Sequence, residues 1–278
     1  MYTGMMLDEI IERGLKEDIH YIDVTTAHLI DEKARSKAKF LFKEDGVLCG
    51  VGIIERVFNK LCPGDFSVVL YHKDGDSLEN GTIFAEIEGP TQSLLMGERL
   101  TLNLMQRMSG VATLSKAYHD QVSDLGTMIV DTRKTSPGLR VIEKYAVQVG
   151  GCRNHRYNLS EGVMIKDNHI QASGGIALAV SKIRSKIGHT MKIEVEVSNF
   201  DQLDEALASG ADIIMLDNMS LEMMAEAVRR IDKKAISEAS GGITLETVRK
   251  VAETGVMVIS SGELTHSYRS HDISMKFY

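Results

Sequence analysis

Before about residue 110 the chain carries stretches in which apolar and polar positions alternate. In KAKFLFK (37–43), Ala38, Phe40 and Phe42 fall on one face and Lys37, Lys39 and Lys43 on the other, the period-two pattern of a half-exposed strand. FSVVLYH (66–72) and TIFAEIEG (82–89) predict two further strands, with turn chemistry in KDGD (73–76) and ENG (79–81) between them. Helical periodicity frames them in MLDEIIERGLKE near the start, in IIERVFNKL (53–61) and over a long stretch from about 91 to 123. This mixture predicts a small N-terminal α+β domain.

After residue 125 the texture changes to apolar strand, polar strand end and amphipathic helix, repeated. The strands are TMIVDTRKT (127–135), GVMIKDN (162–168), MKIEVEV (191–197), ADIIMLDN (211–218), KAISEASGG (234–242) and VMVISSG (256–262). Helical segments lie near 138–150, 174–187, 199–209, 220–232 and 244–254. Short apolar strands alternating with helices predict a parallel sheet covered by helices. Six repeats in so short a span favour an incomplete parallel α/β barrel of six to seven strands over a doubly wound sheet, and the GxGxxG fingerprint of dinucleotide-binding folds is missing. The expected domains are residues 1–110, joined by 266–278, for the α+β unit and 111–265 for the barrel.

Composition narrows the function classes. With 278 residues and 43% hydrophobic content the chain can bury a large core. A net charge of -7 argues against general nucleic-acid binding. No apolar run approaches the roughly 18 residues of a membrane helix. The opening MYTGMMLDEIIERGLKED is acidic and amphipathic where a secretory signal is basic and then apolar, so a cytoplasmic location is expected. Cys49, Cys62 and Cys152 show neither an even count nor CxxC spacing, which points away from disulfides and structural zinc. One window opposes the acidic balance: between Asp131 and His169 seven Lys or Arg face four acids.

In α/β barrels function gathers at the carboxyl ends of the strands. Here those ends carry Asp131, Arg133 and Lys134; Lys166, Asp167 and Asn168; Glu194 and Glu196; Asp217 and Asn218; Glu238 with Ser240, Gly241 and Gly242; and Ser260, Ser261 and Gly262. Arg133, His155, Arg156 and Lys166 suit carboxylates, since a guanidinium fork binds a carboxylate bidentately. Glu196 and Asp217, on neighbouring strands, offer hard oxygen ligands for Mg²⁺. The glycine-bearing endings SGG and SSG, each followed by a helix, predict a phosphate cradle of backbone N–H groups. Zinc at His155 and His169 lacks HxxxH spacing and a third soft ligand. Together these features suit transfer of a phosphorylated sugar to a carboxylated acceptor.

The strings GERLTLNLMQRMSGVAT (97–113), DTRKTSPGLRVIEKYAVQVGG (131–151), NHRYNLSEGVMIKDNHI (154–170), IEVEV (193–197), LDN (216–218), EASGGI (238–243) and VISSGELTHS (258–267) closely resemble quinolinate phosphoribosyltransferase, the carboxylating nicotinate-nucleotide pyrophosphorylase family. The resemblance spans nearly the whole chain, and it implies an N-terminal α/β sandwich domain followed by an incomplete α/β barrel. It implies reaction of quinolinate with phosphoribosyl pyrophosphate to give nicotinate mononucleotide, pyrophosphate and CO₂ in NAD biosynthesis. It further implies that Arg133, His155, Arg156 and Lys166 bind quinolinate. Lys134, Glu196 and Asp217 then serve as catalytic, pyrophosphate and Mg²⁺ groups, while Ser240, Gly241, Gly242, Ser260, Ser261 and Gly262 line the phosphate loops. Arg99 corresponds to an arginine that family members insert into the partner subunit's site, so a homodimer is expected. Two departures stand out: Leu100 where the family often has Thr, and Cys152 where a third Gly is common, just before His155. A phosphoribosyltransferase acting on nicotinate and a non-catalytic sensor remain rival readings. Nicotinate has one carboxylate and needs fewer cations, and a sensor needs no metal acids.

Overall fold

The computed structural model describes residues 4–278; residues 1–3 of the expected N-terminal domain lie outside the described residues. In chain order the elements begin with α1 (Gly4–Ile19), α2 (Val24–Leu29), β1 (Arg35–Phe42), β2 (Gly46–Val47), α3 (Gly52–Leu61), β3 (Ser67–Leu70), β4 (Ser77–Leu78), β5 (Ile83–Pro90) and α4 (Thr91–Val122). There follow β6 (Met128–Val130), α5 (Arg140–Val149), β7 (Val163–Ile165), α6 (Asp167–Ser173), α7 (Ile176–Arg184), β8 (Ile193–Val197) and α8 (Phe200–Ala208). The chain ends with β9 (Ile213–Asp217), α9 (Leu221–Ile231), β10 (Ile236–Ser240), α10 (Val248–Ala252), β11 (Val258–Ser260), α11 (Glu263–His266) and β12 (Ile273–Phe277).

Two compact units are present. The first comprises the described residues up to Lys116, with Thr135–Gly151 and Thr265–Tyr278. Its sheet runs β12-β1-β5-β3, all antiparallel. Ala38, Phe40 and Phe42 of β1 are buried, on the face that the alternation assigns to the core. α3 buries Ile53, Ile54, Val57 and Phe58, which recur at helical spacing, and α1 packs on it through the face carrying Leu7, Ile10 and Ile11.

α5 lies between two barrel strands in sequence, where the pattern predicts a barrel helix, yet it clusters with the first unit. Its buried polar groups account for this. Glu143 accepts from Arg107 Nε at 3.0 Å and from the Ser136 main-chain N–H at 3.0 Å, and Tyr145 donates to Asp74 Oδ2 at 2.6 Å. A buried carboxylate is costly without such donors, so these bonds select the docking place of the helix.

The second unit comprises Ala117–Lys134 and Cys152–Leu264. Its six strands run β6-β11-β10-β9-β8-β7, all parallel. An isolated parallel bridge from Val130 to Arg153 extends the sheet by one position beyond β6. This is the incomplete α/β barrel of six to seven strands expected from the repeats. The strands are shorter than their apolar patterns. β6 stops at Val130, and Thr132 Oγ1 accepts the Lys134 N–H at 3.0 Å, so Arg133 and Lys134 sit on a turn. The expected helix at 174–187 is α7, and Gly174 (φ 85°) and Gly175 (φ 138°) separate it from α6, a short helix that the pattern did not predict. Among the described residues no helix is long and apolar enough to cross a membrane.

Candidate active site

The barrel strands alternate along their length. In β8, Ile193, Val195 and Val197 share one face and Glu194 and Glu196 the other. The apolar face meets the helix layer, where α7 and α8 pack on β8. The acidic face therefore lines the barrel interior. Register carries this pattern across the sheet: Glu196 lies opposite Met215, Met215 opposite Glu238, and Asp217 opposite Ser240. Glu196 and Asp217 thus share the interior face of neighbouring strands, and both are half-buried.

Lys166, one residue past β7, pairs with Glu196 (Nζ to Oε2, 3.3 Å). Asp217 Oδ2 accepts from Asn218 Nδ2 at 2.9 Å. Asn218 also fixes the neighbouring loop, its main-chain N–H donating to the Ser240 carbonyl at 3.0 Å. Gly241 has φ +99°, and a Cβ there would lie 2.2 Å from Asn218 Oδ1. Gly242 follows at φ +60°. Two successive glycines with positive φ leave the main chain at this strand end uncovered by side chains, so that an anion can approach its N–H groups closely.

The helices after the two glycine loops are short. α10 begins only at Val248, behind a turn in which Thr247 Oγ1 accepts the Thr244 N–H at 2.9 Å, and α11 has four residues. The expected helix-dipole contribution to a phosphate cradle is therefore small, and the loop N–H groups remain. Ser260 and Ser261 are buried. Ser261 Oγ donates to the Ile243 carbonyl at 3.2 Å and accepts the Glu263 N–H at 3.3 Å, tying the two loops together.

The cationic turn at 153–156 is registered onto β6. Arg153 N–H donates to the Ile129 carbonyl at 2.9 Å, and Asp131 N–H donates to the Arg153 carbonyl at 3.1 Å. The buried Asp131 side chain then accepts the His155 main-chain N–H at 2.9 Å. The left-handed position in the GGC approach is Gly151 (φ +92°); Cys152 has ordinary backbone and a buried side chain, so replacing a third glycine there does not disturb the turn. Burial pushes the Cys152 thiol up to about 12, which keeps it inert.

Arg156 donates to the Gly162 carbonyl at 2.9 Å. Its guanidinium is held below the ordinary arginine value by burial and then by repulsion from Arg133, with Glu194 opposing. Arg133 thus lies within electrostatic reach of Arg156. His155 differs from a free cation. Its Nδ1 accepts the Arg156 main-chain N–H at 2.8 Å, and its Nε2 lies 3.2 Å from Glu194 Oε2 and 3.5 Å from Glu238 Oε1. Glu194 and Glu238 carry no assigned role in the sequence reading. Alternating acids inside a parallel strand were the available signal, because an outward-facing acid would meet the helix layer. Arg99 is exposed on α4 in the other unit.

An incomplete parallel barrel with guanidinium groups and acids at the carboxyl ends of its strands defines an α/β-barrel enzyme for small molecules. The sequence models of the quinolinate phosphoribosyl transferase N-terminal and C-terminal domains match residues 23–109 and 111–276. The chain belongs to the quinolinate phosphoribosyl transferase family. A Bacillus subtilis relative is 44% identical over 271 residues, covering 98% of this chain and 93% of the relative. The chloroplastic carboxylating nicotinate-nucleotide pyrophosphorylase of Arabidopsis thaliana is 42% identical over 289 residues, with 97% and 82% covered. The crystal structure of NadC from Streptococcus pyogenes superposes with TM-score 0.95 at 40% identity, covering 99% of this chain and 97% of that one.

Proposed function

We propose that the chain transfers the phosphoribosyl group of phosphoribosyl pyrophosphate to quinolinate, releasing pyrophosphate and CO₂ and giving nicotinate mononucleotide for NAD biosynthesis. The observation that carries this reading is the pair Arg133 and Arg156, close enough to repel and so favourable to a dianionic acceptor. Family membership supports the same acceptor.

In this reading the acceptor carboxylates bind Arg133, Arg156 and Lys166, with His155 beneath. Lys134 neutralises charge developing on the pyrophosphate as it leaves the ribose C1. The electron-poor C1 faces Glu196 and Asp217 while the quinolinate nitrogen attacks it. The carboxylate beside the new quaternary nitrogen then leaves as CO₂. Its electron pair stays on the ring carbon, stabilised by that cation, until a proton replaces it. Gly241, Gly242 and Gly262 hold the 5-phosphate through main-chain N–H groups, with Ser240, Ser260 and Ser261 shaping the loops. Glu196 and Asp217 fit Mg²⁺: two hard oxygen donors share one partly exposed face, leaving room for water and phosphate oxygens. A bound Mg²⁺ would supply charge neutralisation for the pyrophosphate.

The test is an assay with quinolinate and nicotinate offered separately, each with phosphoribosyl pyrophosphate and Mg²⁺. Mononucleotide and CO₂ from quinolinate are expected; product from nicotinate alone, or from neither, defeats the reading. Gly241→Ala forces a left-handed alanine against Asn218, so the KM for phosphoribosyl pyrophosphate should rise about tenfold or more. An unchanged KM would remove this loop from the phosphate site.

The chain works as a homodimer with Arg99 completing the partner subunit's site, a reading supported by the exposure of Arg99. Mixing an Arg99→Ala chain with an Arg133→Ala chain should regenerate activity, because one heterodimer site keeps both arginines. No recovery after verified subunit exchange would count against Arg99 crossing between subunits.

A further inference from the structure

Below the cationic pair lies a polar cluster that the proposed reaction does not use. Glu194 and Glu238 face the barrel interior from β8 and β10, their side chains 4% exposed, and His155 Nε2 reaches both. Glu194 Oε1 and Glu238 Oε1 are buried without a hydrogen-bond partner; at 3.5 Å the His155 contact to Glu238 is electrostatic. The three groups present donor atoms within 4.8 Å of one another. Such a set suits either a divalent metal or shared protons.

The main chain separates these readings. Nδ1 of His155 accepts the Arg156 N–H, so it carries no hydrogen and the ring proton sits on Nε2. An imidazole that ligates a metal through Nε2 keeps its hydrogen on Nδ1, where it would collide with that N–H. A doubly protonated ring meets the same obstacle. With Nε2–H given to Glu194, only a proton on the other carboxyl relieves the repulsion between the two acids.

We propose that Glu238 is a positioning residue: as an uncharged carboxyl it holds His155 in the neutral Nε2–H form, whose Nδ1 anchors the main chain of Arg156 for its work on the acceptor. The groups facing Glu238 are Glu194 from β8, His155 from the turn and the Ser260 hydroxyl from β11, while neighbouring β9 presents the apolar Met215 opposite it. Burial first, and Glu194 second, hold the Glu238 carboxyl above the ordinary range. The role given to Arg156 rests on the quinolinate reading; the state of the cluster does not.

Nitrogen-15 spectra of histidine-labelled full-length protein, with His155→Gln to assign the signal, test the cluster without substrate. One protonated and one unprotonated nitrogen are expected for His155 at pH 6, where Glu238 is uncharged, with the signal shifting as Glu238 ionises in the native chain and staying flat in Glu238→Gln. A doubly protonated ring at pH 7, or stoichiometric Co²⁺ binding that Glu238→Ala abolishes, overturns the proposal. Steady-state kinetics test positioning: Glu238→Ala should raise the KM for quinolinate about tenfold with a smaller change in kcat, and Glu238→Gln should restore most of it. An unchanged KM in Glu238→Ala refutes the positioning role. If the native chain does not turn over quinolinate, the acceptor reading fails and the nitrogen spectrum alone decides the state of the cluster.

Discussion

Arg156→Ala should lower kcat/KM for quinolinate by about 2–5 kcal/mol, roughly 30- to several-thousand-fold, as expected for a charged contact that bound substrate covers and that loses one partner. The size follows from surroundings more than from charge. Partial burial takes some water from the guanidinium and Arg133 repels it, so an arriving dianion gains more than it would from a fully exposed arginine. The Gly162 carbonyl fixes one edge of the fork in advance, which limits the entropy lost on binding. Arg156→Lys should recover only part of the loss, because an ammonium cannot bridge two carboxylate oxygens. Initial rates at subsaturating quinolinate give the answer, and near-normal turnover in Arg156→Ala would exclude Arg156 from the acceptor site.

The second large effect concerns stability against pH. Burial, followed by repulsion from Glu194, lifts Glu238 from an ordinary 4.5 to about 7, with His155 and Ser260 opposing. Between these values the folded chain binds a proton that the unfolded chain has lost, so stability falls as pH rises through the window and levels off above about 7. Glu238→Gln has no proton to lose. Its advantage over the native chain should therefore grow from pH 4.5 to 8, reaching on the order of 3 kcal/mol. Thermal melts of both chains at pH 5 and pH 8 measure this, with a gap at pH 8 larger by on the order of 5 °C. A gap independent of pH would mean that Glu238 is ionised throughout.

Local pattern carried the fold far. The helix read from about 91 to 123 runs from Thr91 to Val122, and the alternation in KAKFLFK puts Phe40 and Phe42 in the core. The errors sit where side chains compete with the backbone. Thr132 and Thr247 accept main-chain N–H groups, converting an expected strand end and an expected first helical turn into turns. The docking of α5 escaped because it depends on Arg107 and Asp74, distant in sequence. The site divides in the same way. Cations and acids at strand ends are visible as letters, and strand alternation says which way Glu194 and Glu196 face. The occupation of both ring nitrogens of His155 is not visible, because it depends on the direction of one peptide N–H and on two acids separated by an intervening strand.

The first unit takes its sheet from both ends of the chain: β1 lies between β5 and β12, and β12 ends one residue before the last. During synthesis the β1 edge at Ala38 to Phe42 stays unpaired until Ile273–Phe277 leaves the ribosome, by which time every barrel strand has already emerged. The barrel can thus close before the domain that precedes it in sequence is complete, reversing the usual order in which N-terminal domains finish first. A chain stalled short of residue 273 would display an open sheet edge, the feature that invites pairing with a neighbouring chain.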